Sequence, residues 1–218
     1  MAAYFRTVQP TSEPVSLADC KSALNIDTDL TADDGLITLL IQGAREYAES
    51  YCNRSFIQQQ WRMTLDSFGD EASSGVGPFF STVLIEKAPI VSVDSIVYID
   101  MTGTAQTITA PGTPGQTATV VGEQKFAIDL DGNVGRLGPA FGYFWPITIP
   151  QIGAVKINFT AGFGPDATDV PAAICNWIKM RVATLYQNRE EVAVMPRGKV
   201  EALPYVDRLL DPWVVSLA

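Results

Sequence analysis

Apolar residues recur at three- and four-residue intervals near the two ends of the chain and at two-residue intervals between them. This pattern predicts helices flanking a β-rich middle. Ser16-Leu17-Ala18-Asp19 is a start of the S-x-x-D kind, whose hydroxyl and carboxylate cap free N–H groups, and a short helix is predicted from Leu17 to Leu24. Thr31-Ala32-Asp33-Asp34 repeats that logic before a longer helix. Its predicted buried face carries Leu36, Ile37, Leu40, Ile41, Ala44, Tyr47, Ala48 and Tyr51, and Arg45, Glu46 and Glu49 are expected opposite. Asp169 with Pro171 in the first turn opens a third helix, striped by Ile174, Ile178, Val182 and Leu185 and ending near 189–191. Trp177 sits one step off that stripe, free by pattern to face core or partner.

After Asn53-Arg54-Ser55 the period shortens, and Gln60 to Leu65 is the first alternating run. A Gly- and Ser-rich loop over 68–78 separates it from Thr82 to Ile85, and Ala88-Pro89 breaks the ladder before Ile90 to Ile99. Asp100 to Gly103 reads as a hairpin turn. Thr104 to Thr119, with Pro111-Gly112 and Pro114-Gly115, is expected to be an exposed loop or flap. Phe126 to Asp129 and Gly135 to Leu137 flank another hairpin, and Ala154 to Thr160 is the clearest late strand.

Residues 1–15 are polar and contain Pro10 and Pro14, so they read as an arm that is ordered only where something receives it. Val194 to Gly198 reads as a linker. Beyond it Leu203, Tyr205, Val206, Leu209, Leu210 and Trp213 crowd a segment broken by Pro204 and Pro212, and need a surface to cover them. The expected fold class is α+β: a small helical bundle of N-terminal helices and one long C-terminal helix, with an inserted antiparallel β-sheet unit and an extended C-terminal segment. The expected divisions are an arm at 1–15, a helical part at 16–56, the β unit at 57–168, the completing helix at 169–193 and the terminal segment at 194–218.

Composition narrows the function. With 218 residues the chain has length for one full-sized domain or two small ones, and 47% hydrophobic against 18% charged residues fits a folded globular protein. No histidine is present, which removes Ser-His-Asp, Cys-His and His-metal chemistry. Cys20, Cys52 and Cys175 are widely spaced and read as reduced apolar residues. The start of the chain lacks a signal pattern and no run approaches a bilayer span, so a product made in the cytoplasm is expected. The net charge is −9. From Val170 onward six Lys or Arg stand against five Asp or Glu, so the last 49 residues carry +1 and the first 169 carry −10. Affinity for phosphate backbones is not expected from such a body.

Several motifs invite chemistry. Asp129-Leu130-Asp131-Gly132-Asn133 places oxygens at alternate positions, but Val134 and Ala140 stand where a calcium loop needs Gly and Glu, so it reads as a hairpin turn and no metal is expected. A metal-dependent hydrolase built on Asp129 and Asp131 ranks lowest of the readings, for want of further ligands. Gly162-Phe163-Gly164-Pro165 lacks the Lys and spacing of a phosphate loop and reads as a strand-to-helix connection. The adjacent pairs Asp33-Asp34 and Glu190-Glu191 fall at helix ends, where capping and solvation explain them. Asn53-Arg54-Ser55 and Asn158-Phe159-Thr160 match the glycosylation pattern by chance. Phe141, Tyr143, Phe144, Trp145 and Pro146 suit a sugar platform, a core plug or a subunit contact, with contact or core favoured. No catalytic residue and no cofactor is expected, and a small carbohydrate- or ligand-binding module is the rival reading.

The order of motifs carries more than any one of them. Ala44 to Glu49 with Arg54, then Gln60-Trp61-Arg62 with Leu65-Asp66, Ala88-Pro89-Ile90 before Val93 to Asp100, Phe159 to Gly164, Val170 to Ile174 and Tyr186 to Glu190 resemble the head-tail connector (adaptor) family of long-tailed phages and gene transfer agents. The resemblance spans about 16–215. It implies a structural virion protein, not an enzyme, at the head-tail interface: a ring of copies, commonly twelve, beneath the portal. Such a ring extends the channel through which DNA passes without specific binding. The implied partners are the portal, other copies of the chain, and a tail-side connector, stopper or tail terminator protein. In such proteins the C-terminal segment reaches the portal, which implies docking by Leu203, Leu209, Leu210 and Trp213. Removal of 200–218 is then expected to spare the fold and abolish portal binding.

Overall fold

A computed structural model describes residues 2–69, 82–109, 117–119, 125–130, 132, 134–140, 142–188 and 208–215. Among them the chain forms two compact units. Residues 2–10 and 58–163 belong to a sheet unit, and 11–57 with 164–215 to a helical unit. The class is α+β, as the periodicities imply.

The sheet unit is built around strand β9 (Val155–Ala161). Its alternation is complete: Val155, Ile157, Phe159 and Ala161 are buried and the residues between them are not. It pairs antiparallel with β2 (Gln59–Leu65) on one side and β4 (Ile90–Ile99) on the other, within a five-stranded sheet ordered β1-β2-β9-β4-β5. The outer strands are β1 (Ala3–Val8) and β5 (Ala105–Thr109). A second sheet, ordered β3-β8-β7-β6, contains β3 (Val83–Ile85), β6 (Thr117–Thr119), β7 (Lys125–Asp129) and β8 (Gly135–Pro139). One core draws on both sheets, with Met63, Leu65, Ile96, Ile157 and Phe159 from the first and Val83, Ile85, Phe126 and Leu137 from the second. Each such side chain contributes about 1.5–3 kcal/mol when fully buried.

Two expectations change here. Residues 3–8 of the arm are a strand, received by β2. Tyr4 sets its ring edge-on to Phe159 at 6.3 Å, and its hydroxyl accepts from Glu86 N at 3.0 Å. The flap expected over Thr104 to Thr119 begins and ends in strand, because β5 pairs with β4 and β6 with β7; Ile108 is buried. A polar edge strand shows only every second residue to the core, so composition alone reads it as loop. The β4–β5 turn falls at Asp100, whose carboxylate accepts from Thr102 N and Thr104 N at 2.9 and 3.0 Å. The loop read over 68–78 lies outside the described residues from residue 70 onward.

The helical unit contains α1 (Leu17–Ala23), α2 (Asp34–Cys52) and α3 (Ala172–Gln187). Ser16 caps α1 as expected, accepting from Asp19 N at 3.0 Å. Asp33 precedes α2 without a side-chain cap bond; its carboxylate accepts instead from the Tyr186 hydroxyl at 2.5 Å. The buried face of α2 is rotated from the expected one. Ile37, Ile41, Ala44, Ala48 and Cys52 are buried, but so are Arg45 and Glu49, whereas Leu36, Tyr47 and Tyr51 are exposed. Trp177 resolves to the core beside Ile174, Ile178 and Val182. Gly162 to Pro165 is the strand-to-helix connection expected: Gly162, at φ 145°, leaves β9 and donates to Pro89 O at 2.8 Å.

At Gly164 a Cβ would overlap the whole side chain of Asp169, whose carboxylate accepts from Asp166 N at 3.1 Å. Gly164→Ala is expected to lose about 1–3 kcal/mol, because a packed turn must shift. Urea denaturation checks this, and a midpoint equal to wild type would refute it.

Candidate assembly surfaces

The geometry of the helical unit starts from a buried cation. Arg45 Nε donates to Glu13 Oε2 at 2.8 Å and Nη1 to Glu49 Oε2 at 3.0 Å, while Glu46 lies at 3.7 Å from Nη2. Glu49 Oε1 in turn accepts from Phe56 N at 2.9 Å. Burial disfavours the charged guanidinium, but Glu49 and then Glu13 outweigh it, and the net shift of Arg45 is upward. A second buried cation, Lys21, meets Asp34 Oδ1 at 2.6 Å and donates to Thr28 O at 3.1 Å. Neither cation was assigned to the interior by periodicity. The available signal was the i, i+4 pairing of Arg45 with Glu49.

The C-terminal segment 208–215 is seated at the end of α2. Val215 N donates to Cys52 O at 3.0 Å, Arg54 Nε to Trp213 O at 2.5 Å, and the Tyr51 hydroxyl to Asp211 Oδ1 at 3.0 Å. Of the docking residues, Leu210 is 1% exposed, Leu209 and Trp213 are half-buried, and Leu203 lies outside the described residues. Leu210 is therefore held within its own unit, and so is Val215. Removal of 200–218 would strip both from the core, which corrects the expectation that such a truncation spares the fold.

On the exposed side of α2, Tyr47 lies parallel to Tyr51 at 6.4 Å and to Trp177 at 5.8 Å, with the Arg181 guanidinium 5.7 Å from its ring centre. Leu36 and Leu39 continue this face toward the helix start.

The aromatic stretch at 141–146 divides. Trp145 is a core plug, stacked on Phe68 at 4.4 Å and near Phe126 at 6.2 Å. Tyr143 is half-buried, Phe144 exposed, and Phe141 outside the described residues. A cavity of about 240 Å³ is lined by Ser67, Phe68, Gly69, Trp145, Pro146, Ile147 and Thr148. With the plane of Trp145 covered by Phe68, no open indole platform for a sugar is present there.

The other motifs are described only in part. Asp129 is engaged by Arg136 across the β7–β8 hairpin, and Asp131 lies outside the described residues, as do Glu190 and Glu191. Asn53 ends α2 in the left-handed conformation. Asn158 bridges strands, accepting from Arg62 Nε at 3.1 Å and donating to Ser95 Oγ at 2.9 Å.

The family model for the phage gp6-like head-tail connector protein matches residues 14–76. No curated protein matches the chain. Among solved structures, a chain in the neck of an empty gene transfer agent particle, computed with C6 symmetry, superposes with TM-score 0.72 at 20% identity, covering 99% of this chain and 97% of that one. A chain in the neck of the native particle, computed with C12 symmetry, gives 0.66 at 20% identity over 100% and 97%; one in the native virion gives 0.65 at 20% over 97% of each. The resemblance read from the motifs is thus met independently by the family match and by the fold.

Two outcomes follow. Arg45→Met is expected to cost about 3–5 kcal/mol, since it leaves Glu49 buried without its cation; chemical denaturation checks it, and a loss under about 1 kcal/mol would refute the assignment. Burial, against the opposing pull of Lys179 and Arg54 respectively, pushes the Cys20 and Cys52 thiols up to about 11 from an ordinary 9. Thiols of the unfolded chain therefore ionise first, and stability should begin to fall about one pH unit below 9, fall most steeply between 9 and 11, and stay flat at lower pH. Native protein at pH 8 should resist alkylation at both sites, and rapid labelling there would contradict the burial argument.

Proposed function

We propose that this chain is a structural adaptor of a phage-like particle, assembling as a ring in the neck between the portal and the tail side. One observation carries the reading: the whole chain shares its fold with chains from particle necks computed with C6 and C12 symmetry. The connector-family match over 14–76 supports it. The role is structural rather than catalytic, located in the virion, and a ring of twelve copies is compatible with both the C6 and the C12 neck symmetry. A tail-side connector, stopper or tail terminator would meet the opposite face of the ring.

The charge distribution suits that role. A body of −10 over residues 1–169 suits a duct for DNA, because like charge keeps phosphates from sticking to the wall. The near-neutral C-terminal segment suits burial against a protein. In this reading Leu210 anchors the segment to its own unit, and Leu209 and Trp213, with Leu203 upstream, reach the portal. The buried position of Trp145 disfavours the carbohydrate module.

Electron microscopy of the protein mixed with its portal tests the reading. An added ring is expected. Leu209→Asp with Trp213→Ala, which leaves Leu210 and the Trp213 carbonyl in place, should weaken portal binding about tenfold or more, as loss of an interface anchor does. A bare portal beside folded wild-type chain would overturn the adaptor, and undiminished binding by the double variant would overturn the docking role.

A further inference from the structure

Within the helical unit, the exposed side of α2 and the seated segment 208–215 join into one surface. Tyr47 and Tyr51 stand one turn apart on α2 and are both exposed. The Tyr51 hydroxyl donates to Asp211 Oδ1 at 3.0 Å, and Asp211 opens the short turn Asp211–Trp213. The tyrosines are thereby tied to the turn that carries Trp213. Val214, next along the segment, is exposed, as is Arg208 at its start.

The rings are ordered within the chain itself. Tyr47 lies within 8° of parallel to Tyr51 and within 5° of parallel to Trp177, which is fully buried, so the stack is rooted in the core and runs out to water. Rings held in this way lose little freedom when a partner covers them, which lowers the cost of binding. Tyr, Trp and Arg are also the residues that most often dominate the energy of an interface. Arg181 of α3, whose guanidinium sits over Tyr47, gives this one a sign. Exposed Glu46, beside Tyr47 in sequence, lies 3.7 Å from Arg45. Among the described residues no carboxylate pairs with Arg181, and α3 itself contains no Asp or Glu.

We propose that the portal-docking surface continues from segment 208–215 onto α2: an apolar stretch of the portal that bears a carboxylate lies across Trp213, Tyr51 and Tyr47, with the carboxylate on Arg181. The proposal rests on the docking role given above to Leu209 and Trp213 and carries it to a second element. Continuity selects the portal. A partner that grips Trp213 meets the turn that Tyr51 holds through Asp211, and Tyr47 follows at 6.4 Å. Covering Tyr51 strands no donor, because its hydroxyl already has an acceptor within the chain. Charge selects the chemistry, since the guanidinium of Arg181 beside an aromatic face is complemented by an acidic group among apolar ones.

Tyr47→Gln and Arg181→Glu should each weaken binding of the full chain to purified portal about tenfold. Arg181→Lys, which keeps the charge but not the planar fork, should lose less than Arg181→Glu. All three should unfold within about 4 °C of wild type, as changes at a partly exposed face do. A photoreactive benzophenone side chain in place of Tyr47 keeps an aromatic ring on the stack, and on irradiation of the mixed complex it should cross-link to the portal. Cross-links to a second copy of the chain instead would overturn the extension onto α2 and make this face a contact between copies. Full binding by both Tyr47→Gln and Arg181→Glu, while Leu209→Asp with Trp213→Ala binds weakly, would overturn the extension and spare the docking segment. Wild-type chain that does not bind the portal would overturn both.

Discussion

The helical unit depends on how it neutralises Arg45. A guanidinium removed from water is costly unless opposite charge and hydrogen-bond acceptors surround it. Here Glu13 comes from the segment before α1, Glu49 from the next turn of α2, and the second oxygen of Glu49 takes the Phe56 N–H beyond the helix. One cation thus specifies where the chain enters the unit, how α2 is rotated and how it leaves. Such a cluster adds little net stability, but it penalises arrangements in which a carboxylate is left behind.

That rotation decides what α2 has left to offer. With Arg45 and Glu49 turned inward, the helix buries its aliphatic stripe and still shows Leu36, Leu39, Tyr47 and Tyr51 on another side. A soluble helix with apolar residues on two faces has more partners than its own core. The end of α2 already holds one such contact, the returning segment 208–215. The sheet unit spends its aromatic stretch in a comparable way, using Trp145 inward as an anchor and the residues after it outward as display.

Much of this was legible in the sequence. The alternation of β9, the turn at Asp100, the antiparallel pairing of β7 with β8, the Ser16 cap and the connection at Gly162 each follow from local chemistry that tertiary context did not override. What escaped was set by context. β1 is six residues long and recognisable only by the strand that receives it. Pattern reading assigns charges to the solvent side, so it misplaced Arg45 and Glu49 and, with them, the exposed tyrosines. Of the docking residues, only the buried state of Leu210 tells anchor from contact, and hydrophobicity alone does not distinguish them. The family resemblance was legible because it rests on the order of short motifs, which survives where each motif is too brief to specify a fold.

The sheet unit leaves the helical unit after Ile57 and returns at Gly164, and these two residues form a β-bridge with each other. Directly beyond them, Gln59 pairs with Ala161. More than a hundred residues therefore depart and come back at adjacent points, which closes the helical frame as though the insert were a short loop. Exchange of one insert for another would leave the frame's chain path undisturbed, apart from β1, whose strand would have to suit the new sheet. An architecture of this kind lets the sheet side diverge at its own pace while the helical frame stays constant.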